Sequence, residues 1–130
     1  MTKKRILIVE DEAIIAFNEK ELLEKSGYEV IGIVDSAEEA IRVVDADCPD
    51  LILMDITLKG EMDGIQAIWK ILENHKIPII IVTANGDKVA HDNALHGKLS
   101  HYIIKPYTDD GLRNTVDSAL KGELQTPGMT

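Results

Sequence analysis

The strongest constraint on the fold is an alternation along the chain. Five short apolar runs, mostly β-branched, are Ile6-Leu7-Ile8-Val9, Val30-Ile31-Gly32-Ile33-Val34, Leu51-Ile52-Leu53-Met54, Ile79-Ile80-Ile81-Val82 and Tyr102-Ile103-Ile104. A continuous run of this kind has no polar face, so it suits a strand covered on both sides, as in a parallel sheet. Longer segments with helical spacing lie between the runs.

In those segments Ala37, Ala40, Ile41 and Val44 fall at i, i+3, i+4 and i+7, and Ile65, Ile68, Trp69 and Leu72 repeat the pattern, as a one-faced helix requires. Leu112, Val116, Ala119 and Leu120 do the same near the end. From Glu12 to Lys25 the stripe is less tidy, with Ile15, Leu22 and Leu23 as its better members. The weakest stripe belongs to a fourth helix over residues 87–96, which suits a loosely held element or an ordinary exposed helix. Ser36 with Glu39 forms a capping box, Thr108 with Asp109 and Asp110 opens a fifth helix, and Gly27 stands where the first should stop. Five βα units therefore predict a doubly wound α/β domain over residues 3–121, with 122–130 as a frayed tail.

Charge and cysteine content narrow the function classes. With 23 acidic against 14 basic residues and a formal charge of -9, the chain repels phosphate backbones and anionic lipid. A sequence-independent nucleic-acid or membrane-surface role is therefore disfavoured. The single cysteine, Cys48, makes no internal disulfide and no CxxC pair, which excludes disulfide scaffolds and zinc fingers and makes the cytoplasm the natural compartment. Before Pro49-Asp50 it is expected to be a small buried residue. The apolar run after Lys3-Lys4-Arg5 stops at Val9, too soon for a signal-peptide core, and no stretch approaches a membrane span.

In a doubly wound sheet the functional crevice lies at the carboxyl ends of the strands, near the switch point in strand order. Those ends carry Glu10 and Asp11, then Asp55, then Thr83 and Ala84, then Lys105 and Pro106. Read singly, each has an ordinary structural explanation; Asp11, for example, could cap the first helix. Read together, Glu10, Asp11 and Asp55 repel one another unless a cation sits among them. Oxygen donors without His or Cys point to a hard ion, and a small cluster that leaves room for waters and phosphate oxygens favours Mg²⁺ over Ca²⁺. Lys105 adds a second positive charge, and the Thr83 hydroxyl can donate to a phosphate oxygen.

The motifs Ile-Leu-Ile-Val-Glu10-Asp11-Glu, Asp50-Leu-Ile-Leu-Met-Asp55-Ile, Gly60-Glu-Met-Asp63-Gly64, Ile-Val-Thr83-Ala84 and Tyr102-Ile-Ile-Lys105-Pro106-Tyr, in this order and spacing, resemble the receiver domain of two-component response regulators. The resemblance runs from about Lys4 to Leu120. It implies a flavodoxin-like (βα)5 fold with strand order 2-1-3-4-5. It further implies that Asp55 accepts a phosphoryl group from a phosphohistidine on a sensor histidine kinase or phosphotransfer protein. Glu10, Asp11, Asp55 and the Thr57 carbonyl would hold Mg²⁺, and Thr83 and Lys105 would contact the phosphoryl oxygens. Tyr102 would be the switch aromatic that follows Thr83, and the Lys105-Pro106 bond would be cis. The output would be a shifted surface of the fourth helix, fifth strand and fifth helix, with a phosphorylation-dependent homodimer as one form. About nine residues follow the last helix, so contact with another protein or with further chain is the expected output.

The chemistry is consistent with that expectation. A carboxylate nucleophile forms an acyl phosphate, cations stabilise the incoming charge, and an ionised Asp55 needs no general base. Such a protein catalyses only its own phosphorylation and dephosphorylation and is not a conventional enzyme. A small Mg²⁺-dependent phosphohydrolase is the first alternative, but that class carries a second Asp two residues after the nucleophile, where this chain has Thr57. A scaffold that never takes phosphate is the second alternative, and the Asp55, Thr83 and Lys105 set opposes it.

Some positions depart from the family pattern. Glu10 stands where many receivers have Asp, Lys59 where proline is common, and Gly97-Lys98 where Gly-Ala is common near the switch surface. Thr57 and Asn85 occupy positions that influence how water reaches the phosphoryl group, and neither is acidic, so fast self-dephosphorylation is not expected. His75, His91, His96 and His101 show no ligand spacing and are expected on the solvated surface. Trp69 is expected to pack, and Gly60 and Gly64 to serve backbone geometry.

Overall fold

The structure, a computed structural model, describes residues 2–56, 64–84 and 101–122. In chain order these form β1 (Arg5–Val9), α1 (Ala13–Lys25), β2 (Glu29–Val34), α2 (Ala37–Ala46), β3 (Leu51–Asp55), α3 (Gly64–Asn74), β4 (Ile79–Thr83), β5 (His101–Ile104) and α4 (Asp109–Leu120). Here α4 is the fifth helix expected from the sequence. The expected fourth helix and residues 123–130 of the expected tail, together with Thr57, Lys59, Gly60, Asn85, His91, His96 and Lys98, lie outside the described residues.

The five strands make one parallel sheet in the order β2-β1-β3-β4-β5. Its apolar runs alternate between two cores. Leu7, Val9, Ile52, Met54, Ile79 and Ile81 face α2 and α3, where Ala40, Val44, Ala67, Ile68 and Ile71 meet them. Ile6, Ile8, Leu51, Leu53, Ile80 and Val82 face α1 and α4, against Ala16, Leu23, Leu112 and Val116. Each buried aliphatic side chain contributes roughly 1.5–3 kcal/mol of transfer free energy. Because β1 pairs with both β2 and β3, the chain reverses direction across the sheet there, which opens the crevice at the carboxyl ends of β1 and β3.

Burial on both faces holds for β1, β3 and β4 but not for β2. No residue of β2 is fully buried and Ile33 is 40% exposed. The reason is position: β2 is an edge strand with one neighbour, which its sequence does not reveal.

Helix ends follow the expected chemistry. The Ser36 hydroxyl accepts from the Glu39 N–H at 3.2 Å, while the Glu39 carboxylate pairs with Arg42. Thr108 accepts from the Gly111 N–H at 2.9 Å, and Gly27, at φ +96, ends α1 in the left-handed region. Asp11 does not cap α1, since the N-cap residue is Glu12, with no side-chain cap bond. The buried line of α1 is Ala16, Glu19 and Leu23, whereas Ile14 and Phe17 are exposed. Two tyrosines tie the α1 side to the carboxyl-terminal part of the chain: Tyr107 donates to Glu19, and Tyr28, just beyond α1, donates to Asp117 of α4.

Two further expectations are corrected. Cys48 is exposed, because it lies in the α2–β3 connection, where Pro49 is the buried residue. His101 is buried at 4% exposure, because it is the first residue of β5 and pairs with Ile80 in the sheet. Trp69 packs half-buried against the α2–α3 core, as expected.

Candidate functional site

Each site residue is set by the end of a strand. Glu10 follows β1 and donates its N–H to the Val34 carbonyl at 2.9 Å, which extends the ladder and holds the residue inside. Asp11, next in the chain, is half-buried. Asp55 is the last residue of β3, 2% exposed and opposite Val82. Thr83 closes β4, is fully buried and stands opposite Ile104. Lys105 follows β5 and donates its N–H to the Thr83 carbonyl at 2.8 Å. The Lys105-Pro106 bond is cis, as expected.

The side chains converge. Lys105 Nζ lies 3.1 Å from Asp55 Oδ2 and 3.2 Å from Glu10 Oε1. Carboxylate oxygens of Glu10, Asp11 and Asp55 all lie within 4.8 Å of one another. Tyr102 is half-buried on β5, where it pairs with Ile81. Ile81 and Thr83 are two residues apart on β4, so Tyr102 and Thr83 project to the same face of the sheet. Thr57 and its carbonyl lie outside the described residues.

Three carboxylates face one ammonium, and the electrostatics reflect that imbalance. Burial, then the hydrogen bond and charge of Asp55, push Glu10 up to about 7, against the opposing pull of the Glu12 N–H and Lys105. Burial alone would lower Lys105, but Asp55 and then Glu10 outweigh it and hold the ammonium above the ordinary lysine range. A buried carboxylate that holds a proton near neutrality beside a second carboxylate is a group that fits a further cation. All the donors are oxygen, which suits a hard divalent ion such as Mg²⁺.

Gly64 fixes how α3 meets this site. A Cβ there would lie 2.6 Å from Ile56 Cα and 2.7 Å from the Asp55 carbonyl oxygen, so the helix start rests directly on the Asp55 backbone. Sequence reasoning missed Glu19 and Tyr107, which are joined beside Lys105 at 2.6 Å. The one local signal was the place of Glu19 at helical spacing between Ala16 and Leu23.

The sequence pattern of the response regulator receiver domain matches residues 6–117. The chain belongs to this family. The receiver is 30% identical to the transcriptional regulatory protein PdtaR of Mycobacterium tuberculosis over 95% of this chain, and it spans only 64% of that protein. It is 32% identical to the chemotaxis protein CheY of Bacillus subtilis, covering 89% of this chain and 97% of that one. Among solved structures, the receiver domain of the sensor histidine kinase PA1611 from Pseudomonas aeruginosa PAO1 superposes with a TM-score of 0.81 at 28% identity, covering 92% of this receiver and 99% of that domain. That structure has a magnesium ion coordinated in its active site cleft. A CheY-like receiver from Methanospirillum hungatei JF-1 gives 0.83 at 29% identity, covering 93% and 96%. The doubly wound fold and strand order 2-1-3-4-5 expected from the sequence are those found.

Proposed function

We propose that this receiver is a phosphoacceptor signalling switch in which Asp55 takes a phosphoryl group from a phosphohistidine on a sensor histidine kinase or phosphotransfer protein. The observation that carries the reading is the Lys105 ammonium, 3.1 Å from a buried Asp55 carboxylate at the open end of the sheet. An Asp55 oxygen attacks phosphorus, and the bond from phosphorus to the donor imidazole breaks. Lys105, already between Asp55 and Glu10, is placed to meet the charge on the phosphoryl oxygens. The Thr83 hydroxyl is the second group assigned to those oxygens. Glu10, Asp11 and Asp55, with the Thr57 carbonyl, would hold Mg²⁺. The ion supplies charge neutralisation for the transferring group.

The signal leaves through the shared face of β4 and β5. Movement of the Thr83 hydroxyl toward the phosphoryl group frees space for Tyr102, which biases the surface of β5 and α4, together with the fourth helix expected outside the described residues, toward a target protein or a second copy. The domain assigned to this role is 3–121, it has no conventional turnover substrate, and the cytoplasm is its proposed compartment. Among the described residues, no helix is long and apolar enough to cross a membrane.

The test is phosphorylation of the full chain by phosphoramidate with Mg²⁺, read by intact mass, followed by transfer from phosphorylated candidate kinases. One phosphoryl group per chain is expected, and it should be absent from Asp55→Asn. Undiminished labelling of that variant would overturn the assignment.

A further inference from the structure

Among the described residues, Glu19 is the buried carboxylate that the proposed reaction leaves without a role; the other two, Glu10 and Asp55, belong to the site. It sits on the inward line of α1 with Ala16 and Leu23, between two apolar side chains. A buried carboxylate needs a compensating partner. Glu19 has one: Oε2 accepts the Tyr107 hydroxyl at 2.6 Å, across 88 residues of sequence.

The place of this bond is informative. Tyr107 stands two residues after Lys105, and both line a cleft of about 490 Å³ with Ala84, Pro106 and Ile15. Ile15 and Glu19 are four residues apart on α1, hence on one face. The bond therefore joins the two walls of the cleft, α1 on one side and the Lys105-bearing segment on the other. Lys105 and Asp55 are both within electrostatic reach of Glu19.

Resting on the phosphoacceptor reading, we propose that Glu19 and Tyr107 are positioning residues for Lys105. Their bond pins residues 105–107 against α1, so that the ammonium stays between Asp55 and Glu10. Lysine has a flexible four-carbon stem, and here its side chain is only 19% exposed, so its direction depends on the backbone that carries it. Displacement of a reacting group by about 1 Å costs up to roughly 10²-fold in rate.

The experiment compares Tyr107→Phe, Glu19→Leu and Glu19→Gln in the full chain with phosphoramidate and Mg²⁺. It reads the maximal labelling rate, the donor half-saturation and the melting temperature. Tyr107→Phe and Glu19→Leu are expected to lower the maximal rate roughly tenfold with donor half-saturation unchanged. Glu19→Gln, whose amide oxygen still accepts from Tyr107, is expected to keep most of the rate. Glu19→Leu replaces a buried carboxylate with an apolar group, so its melting temperature should hold or rise while its rate falls. Wild-type rates in the Leu and Phe variants overturn the positioning role, as does a rate loss confined to variants that also lose stability. A wild-type chain that takes no label overturns the phosphoacceptor reading itself, a different result from a labelled wild type with unaffected variants.

Discussion

Lys105 and Asp55 stand 50 residues apart in the chain and 3.1 Å apart in space, and the same ammonium reaches Glu10 at 3.2 Å. One cation thus spans the ends of β1 and β3. Lys105→Met removes it and leaves two buried carboxylates facing each other. The phosphoramidate labelling rate is expected to fall roughly 10²-fold. A variant that labels as fast as wild type would take Lys105 out of the reaction.

Glu10 sets a pH dependence. In the metal-free protein its carboxyl holds a proton up to about 7, because burial and Asp55 oppose its ionisation. A divalent ion competes with that proton, so Mg²⁺ affinity should climb between about pH 6 and about pH 8, with proton release on binding. Glu10→Gln should bind more weakly and lose the slope near neutrality. Titration calorimetry in buffers of different ionisation enthalpy measures both, and a flat wild-type profile would contradict the assignment.

Gly64 leaves no room for a side chain above the Asp55 carbonyl. Gly64→Ala must push α3 away from the Asp55–Ile56 backbone, and about 1–3 kcal/mol of stability should be lost. Labelling should slow as well, since the clash also presses on the Asp55 backbone. Chemical denaturation and labelling kinetics on one preparation test both effects.

What the sequence makes visible and what it hides have separate physical causes. The strands, their order of appearance and the residues just past their carboxyl ends are local features, so Glu10, Asp11, Asp55, Thr83 and Lys105 can be chosen before any coordinates. The exposure of β2 is not local: its run resembles those of β1 and β4, and only its single neighbour distinguishes it. Glu19 and His101 are hidden for the same reason, since a polar residue reads as solvated until the element opposite is known. Ile14 and Phe17 show the converse, large apolar side chains on the outer face of α1.

Tyr28 provides a control distant from the site. Its hydroxyl donates to Asp117, and burial, then that partner, keep it protonated beyond the ordinary tyrosine range. Tyr28→Phe should cost about 1 kcal/mol in denaturant unfolding. Its labelling rate should match wild type, and a loss of rate would mean that the α1–α4 contact itself tunes the chemistry.

Burial, and to a smaller degree the charge of Asp55, raise the Glu19 carboxyl above its ordinary value of 4.5, with Tyr107 and Lys105 acting in the opposite direction. The folded state therefore binds this proton more tightly than the unfolded chain. The stability it provides is complete below the unfolded value and is lost as pH rises through the folded one. As pH rises above the ordinary carboxyl value of 4.5, the melting temperature should fall more steeply in wild type than in Glu19→Gln. Parallel curves would show that the buried carboxylate carries no such cost.

The bonds from Tyr107 to Glu19 and from Tyr28 to Asp117 also bear on how the chain is made. A polypeptide is synthesised amino end first, so α1 exists early, yet Glu19 must wait 88 residues and Tyr28 89 residues for a partner. Until Tyr107 emerges, α1 can dock on β1 and β2 only with the Glu19 carboxylate unpaired. One half of the doubly wound core is therefore local in its assembly and the other is not: the layer of α2 and α3 draws on neighbouring segments, while the layer of α1 and α4 joins the first described helix to the last. Commitment of α1 is in this sense a late event, governed by contacts distant in sequence.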